Sequence, residues 1–183
     1  MQPTQEQIDF YYTRTNIHIH LVRKYIKKIY DVWKFPALRE RQQIHDQSKY
    51  YIPELVPYIF TTWMYHCQKN NIPFEISEDL KKRMHEATYH HVKNNRHHPE
   101  FHDKTTTIES INSVNRDKPP ERIVSGENMT NTDIAEMVAD WCAVSEERKN
   151  TPQDWAKANI NIRWKFTPEQ ETLIYNIMLI VWD

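Results

Sequence analysis

A single glycine, Gly126, occurs among the 183 residues. Tight hairpins and bulges draw on glycine for left-handed backbone, so a chain with one glycine has few means of building an antiparallel sheet. The ten prolines read instead as punctuation between helices. An all-α fold is expected, and the length suits one domain, 1–183, with a sizeable core.

Apolar residues recur at helical spacing from about Ile17 to Trp33, placing His18, Val22, Tyr25, Ile29 and Val32 on one stripe. Lys24, Lys27, Lys28 and Asp31 fall opposite. The same spacing separates two near neighbours: His18 is directed to the core and His20 to solvent. A second helix is expected over 37–49, carrying Leu38, Ile44 and the adjacent pair His45 and Asp46. Pro53 is expected to open a third helix at a first-turn position. Ser77, followed by Glu78 and Asp79, caps a fourth that runs to about Asn94, with Leu80, Met84, Ala87 and His91 inward.

From 99 to 130 the periodicity fails and a long irregular loop is expected, with the cations Lys104, Arg116, Lys118 and Arg122. A fifth helix from Thr132 or Asp133 through Ala143 places Asp133, Glu136 and Asp140 on one face. Thr151 with Pro152, and Thr167 with Pro168, each combine a hydroxyl cap with proline at the first helical position. The last of these helices should run to Val181 and close the core.

Charge narrows the partners. Lysine and arginine number 24 against 25 acidic residues, a net charge of -1, which gives no strong signal for nucleic acid or an anionic membrane. The longest apolar run, 177–182, is too short to span a bilayer. Cys67 and Cys142 form neither a CxxC pair nor a disulfide framework. A cytoplasmic location is expected.

An imidazole on an apolar stripe needs a partner. His18 and His91 are so placed, and His45, Asp46 and Asp140 offer further nitrogen and oxygen donors. Such a set suits one or two divalent ions such as Zn, Mn, Fe, Co or Mg, which lower the pKa of bound water. Plainer readings stand beside this one. His18 and His91 would serve as core histidines bonded to Asp140 or a carbonyl, Asp133 as a cap, and His66, His85 and His102 as surface or boundary residues.

The order His18, then His45 and Asp46, then Asp140 resembles the HD-domain superfamily of metal-dependent phosphohydrolases, and residues 45–49 fit its extended form His-Asp-x-x-Lys. The run His91-x-x-x-Asn95-Arg96-His97-His98-Pro99-Glu100, followed by Glu136-x-x-x-Asp140-Trp141, is similar to an uncharacterised HD-like family of bacteria, phages and large DNA viruses. The resemblance implies an HD-like helical bundle. It implies that His18, His45, Asp46 and Asp140 hold one metal, and that His91 with His97 or His98 holds a second. His98 is expected as the ligand of that last pair. The implied activity is hydrolysis of a small phosphorylated substrate such as a nucleotide. Lys49 and Arg96 would then neutralise the phosphate, His97 or Glu136 would move protons, and Glu100 would steady a ligand histidine from behind. Two other readings keep the site: a di-iron HD-fold oxygenase, and a non-catalytic protein that binds a nucleotide or a partner.

Overall fold

Helix caps set most of the boundaries in the computed structural model, which describes residues 2–111 and 122–182. Helix α1, Gln5–Trp33, begins well before the apolar stripe because Thr4 and Gln7 form a capping box. Ser77 caps α4 (Glu78–Asn94) by accepting from the Leu80 amide. Thr130 and Asp133 box the start of α6 (Asn131–Arg148), one step earlier than the sequence suggests. Thr151 and Thr167, each followed by proline, cap α7 (Pro152–Asn159) and α8 (Pro168–Val181) as expected. Of the described residues 68% are helical, and the fold is all-α.

Three elements differ from the expectation. The helix expected over 37–49 is split: α2 covers Leu38–Ile44, and a short 3-10 turn covers Gln47–Tyr50. Asp46 between them is left-handed, with φ 58° and ψ 15°. The third helix, α3 (Leu55–Lys69), starts two residues after Pro53, which therefore lies outside it. The expected loop holds a short helix, α5 (Pro99–His102), and a strand, β1 (Val124–Ser125). Strand β1 pairs in parallel with β2 (Trp164–Lys165), Val124 opposite Trp164 and Ser125 opposite Lys165. Asp103 ties the two ends of this segment together, accepting from the amides of Thr105 and Ser125 and from Arg122. Arg116 and Lys118 lie outside the described residues.

Left-handed backbone is supplied by Lys34, Ala37, Asp46, Asn71, Lys149 and Asn161. Gly126 serves close approach instead: a Cβ there would lie 2.5 Å from Cε1 of the buried Phe166.

Two apolar clusters flank the interior. The larger joins Val22, Ile26 and Ile29 of α1 to Ile134 and Val138 of α6 and to Ile174 and Ile177 of α8. The smaller joins Tyr11 of α1 to Tyr58 and Ile59 of α3 and Ala87 of α4. Helix α1 is common to both. Its stripe holds except at Val32, which is 52% exposed, and His20 faces solvent. Among the described residues, no helix is long and apolar enough to cross a membrane.

Replacing Gly126 with alanine forces Phe166 or the β1 backbone to move, and overpacking of this kind costs about 1–3 kcal/mol. A urea titration should show a lower midpoint for G126A with an unchanged slope. An unaltered midpoint would mean that the approach of β1 to Phe166 is not tight.

Candidate metal centre

Side chains of adjacent residues on a helix diverge by about 100°. His45 and Asp46 escape that rule because α2 stops at Ile44: His45 is extended at ψ 126° and Asp46 turns left-handed. Aspartate tolerates this region better than most residues, and strain of this kind collects at functional sites. The break aims both side chains into the interior, where each is 1% exposed.

Four imidazoles converge on the Asp46 carboxylate. Its Oδ2 lies 3.6 Å from Nε2 of His18 and 3.6 Å from Nε2 of His45. Its Oδ1 lies 3.4 Å from Nε2 of His91 and 3.6 Å from Nε2 of His97. Asp140 joins the first pair, with Oδ1 3.0 Å from His18 Nε2. His98 joins the second, its ring centroid 4.9 Å from that of His91 and 4.2 Å from that of His97. Among the described residues, three sets each have their donor atoms within 4.8 Å of one another: His18, His45 and Asp140; His91, His97 and His98; and His45, His97 and Glu136. Such buried groups can hold a metal ion.

The other nitrogen of each converging ring faces a carboxylate. His18 Nδ1 lies 2.8 Å from Glu147, His45 Nδ1 2.9 Å from Glu136, His91 Nδ1 2.8 Å from Glu54, and His97 Nδ1 3.4 Å from Glu136. A carboxylate at Nδ1 fixes the tautomer that leaves the Nε2 lone pair for a metal. His45 Nε2 and Asp46 Oδ1 are buried and have no hydrogen-bond partner among the described residues. A buried imidazole nitrogen and a buried carboxylate oxygen left without partners on adjacent residues fit a divalent ion.

Charge follows the same pattern. Burial pushes the Asp46 carboxyl up, yet Lys49 beside it holds it well below the usual range. Burial likewise opposes ionisation of Glu136 and Asp140, but the surrounding imidazoles, foremost His45 and His18 respectively, keep both strongly lowered. His18 is raised despite its burial because Asp140, Asp46 and Glu147 bond to it. His91 is lowered, since burial outweighs the pull of Asp46 and Glu54.

Lys49 sits against Asp46 Oδ2 and is raised by it against the effect of burial. A cavity of about 440 Å³ opens beside the cluster, lined by His18, Asp46, His91, His97 and Asp140, and also by Lys49 and Glu100. Arg96 is turned elsewhere: its Nε and Nη2 both donate to Asp133. Glu100 reaches no ligand histidine through its bonded oxygen, Oε1, which accepts from the Trp164 indole at 2.9 Å. Glu136, expected to move protons, bridges His45, His97 and Arg41.

Several contributors escape the sequence reading. Glu147 stands seven residues after Asp140 on α6, two turns along the face already marked by Asp133, Glu136 and Asp140, and that period is the signal that finds it. Arg41 stands four before His45. Glu54 reads only as an acid at a helix start, and nothing local marks its bonds to His90, His91 and Ser48. His102 is half-buried, at the boundary as expected, and its Nε2 lies 2.9 Å from the carbonyl oxygen of Arg96.

Glu136→Gln removes the anion shared by two ligand candidates. Metal affinity should fall by about 10- to 100-fold, as for other residues that orient ligands. Competition with a chromophoric chelator for Mn or Zn measures it, and an affinity equal to the parent's would show that Glu136 orients neither ring.

Searches of curated proteins and of solved structures gave no match. Residues 7–180 match the sequence model of a family of unknown function (DUF5662), which covers nearly the whole chain, and the protein belongs to that family.

Proposed function

We propose that this protein is a metal-dependent hydrolase of the HD type acting on a phosphate ester, with a nucleotide as the substrate class. The observation that carries the reading is the convergence of four Nε2 atoms on one buried carboxylate, each ring backed by a second carboxylate, beside a cavity that admits a small molecule.

His18, His45, Asp46 and Asp140 would hold one ion, and His91, His97 and His98, with Oδ1 of Asp46, a second. A bound divalent ion supplies Lewis acidity: it acidifies water and neutralises charge on a phosphoryl group. Glu54, Glu136 and Glu147 hold the rings in register. Lys49 lines the cavity together with Arg14, Arg148 and Arg163, and as the cation beside Asp46 it meets the phosphate oxygens. Arg96, committed to Asp133, supports the segment leading to His97 rather than the substrate. Asp46, Asp140, Glu54, Glu136 and Glu147 crowd the centre, and metal charge there would favour the entry of an anionic substrate.

The same donors on two sides of Asp46 also suit a pair of irons, the alternative of dioxygen chemistry. Elemental analysis of protein purified without added metal, with Mössbauer spectra if iron dominates, separates the two.

Asp46→Asn keeps shape and tolerates left-handed backbone while removing the shared anion. Both metal retention and turnover of phosphate esters should be lost. Metal-dependent turnover at the parental rate in this variant would exclude the mechanism.

Lys49→Ala should leave metal content unchanged and lower kcat/KM by about 100-fold or more, the scale of losing one electrostatic stabiliser. Parental kcat/KM in K49A would remove Lys49 from the reaction.

A further inference from the structure

The cavity beside the metal cluster has a second end. On α1 its wall is Tyr11, Thr15 and His18, at spacings of four and three, with Arg14 one turn before His18. On α6 it is Trp141, Ser145 and Arg148, again at four and three, with Asp140 and Glu147 beside them. The two helices run in opposite directions. Thr132 at the start of α6 donates to the Pro36 carbonyl beyond α1, whereas Glu147 near the end of α6 meets His18 and Arg14. The stripes that begin at the ligand candidates His18 and Asp140 therefore lead to Arg14 and Arg148. Arg14 is four residues from His18, or about 6 Å of helix axis, and Arg148 is eight from Asp140, or about 12 Å.

Charge on the cavity wall is sorted by place. Asp46 and Asp140 stand at the metal end with Lys49. Glu147 is shared, with His18 Nδ1 at 2.8 Å and Arg14 Nη2 at 3.8 Å. Glu100 gives Oε1 to the Trp164 indole, and its Oε2 is buried. Arg163 adds a cation near Trp164: its Nε donates to Asn159 and its guanidinium lies over the Trp164 ring at 5.5 Å. Arg148 is exposed, and among the described residues no hydrogen bond or ion pair engages it. A cation in the last turn of a helix is favoured by the dipole, which accounts for its residue type but not for its place on the cavity wall. Away from Asp46 and Asp140, the arginines Arg14, Arg148 and Arg163 outnumber the acids Glu100 and Glu147 on that wall.

A single phosphate at the metal and Lys49 leaves these arginines unused. Guanidinium groups pair with phosphate and carboxylate oxygens through two parallel hydrogen bonds, and two of them flank Glu147, Arg14 by its ion pair and Arg148 by its place in the chain. We propose that Arg14 and Arg148 form a second anion subsite, so that the substrate is an ester carrying a further anionic group on the order of 10 Å from the phosphate at the metal. A phosphoryl group and a carboxylate share this chemistry. The inference rests on the phosphate-ester reading of the site and narrows it to esters with two separated anions.

Alkane α,ω-bisphosphonates resist hydrolysis and carry an anion at each end, so their length serves as a ruler. The ethane, butane, hexane and octane members are titrated calorimetrically into the Mn-loaded protein, beside alkylphosphonates and ω-phosphonocarboxylates of equal length. At a spanning length, hexane or octane, the bisphosphonate should bind about 10- to 100-fold more tightly than the alkylphosphonate, the scale of hydrogen bonds to charged groups. At ethane, too short to bridge the two ends, the gap should be smaller. A phosphonocarboxylate that equals the bisphosphonate assigns the subsite to either anion, and one that falls to the level of the alkylphosphonate assigns it to a phosphoryl group. The double variant R14Q/R148Q should close the gap at the spanning length. Equal affinities of one- and two-anion ligands at every length, a gap independent of length, or a gap that survives in R14Q/R148Q would overturn the subsite while leaving the hydrolase reading intact. Failure of every phosphonate to bind overturns both. The wild-type length series stands without the variant, so a misfolded R14Q/R148Q does not blunt the test.

Discussion

Burial of the Asp46 carboxylate is the constraint on which the rest of the site depends. Withdrawing a carboxylate from water costs several kcal/mol even after relaxation, and only close opposite charge or metal offsets it. Asp46 is 1% exposed and meets Lys49 and four imidazoles. These come from separate places in the chain: His18 in α1, His45 beside it, His91 at the end of α4, and His97 in the segment that follows. The left-handed turn at Asp46 is what allows the doublet to enter this ring, so local strain and global convergence are one feature.

Helix α6 turns that convergence into a rigid frame. Its inward face presents Asp133, Glu136, Asp140 and Glu147, which between them bind α1, α2 and the segments around His45 and after α4. Asp133 takes Arg41 of α2 and Arg96 after α4. Glu136 takes His45, His97 and Arg41, while Asp140 and Glu147 both take His18 of α1. The remaining faces of α6 are as deeply buried, with Ile134, Val138 and Cys142 fully inside. A helix buried on every side is fixed in rotation, and that fixes the carboxylates it carries.

Much of this was legible from residue patterns. The lone glycine pointed to helices, and the Ser77, Thr151 and Thr167 caps marked three of their starts, because capping is a local interaction that a few residues determine. His18 and His20 separated by helical phase alone, and the same phase set His91 inward. The break at His45 and Asp46 was not legible, since residues 37–49 read as continuous helix and tertiary pairing of Asp46 decided otherwise. Nor was the β1 and β2 pairing, which joins segments forty residues apart through two short stretches with no alternating pattern. Glu54 escaped for the same reason: its partners on α4 are 36 and 37 positions away. The resemblance gives Arg96 to a phosphate and Glu100 to a histidine, whereas folding ties them to Asp133 and Trp164.

The concentration of like charge at the centre has a consequence for stability. Asp46, Asp140, Glu54, Glu136 and Glu147 surround one small volume, and their mutual repulsion acts against the compact state. Lys49, Arg41 and protons on the imidazoles offset part of it, the raised pKa of His18 being one sign of that compensation. Divalent ions held by the same donors would offset more, and only in the folded chain, because the donors lie in segments that folding alone brings together. Binding at one hundred times the dissociation constant contributes about 2.7 kcal/mol to a folded state. That is a sizeable part of the 5–15 kcal/mol by which domains of about this size are stable. On this reasoning the anionic centre is poorly suited to stand alone, and its design as a site and its cost as a core are the same arrangement of charges.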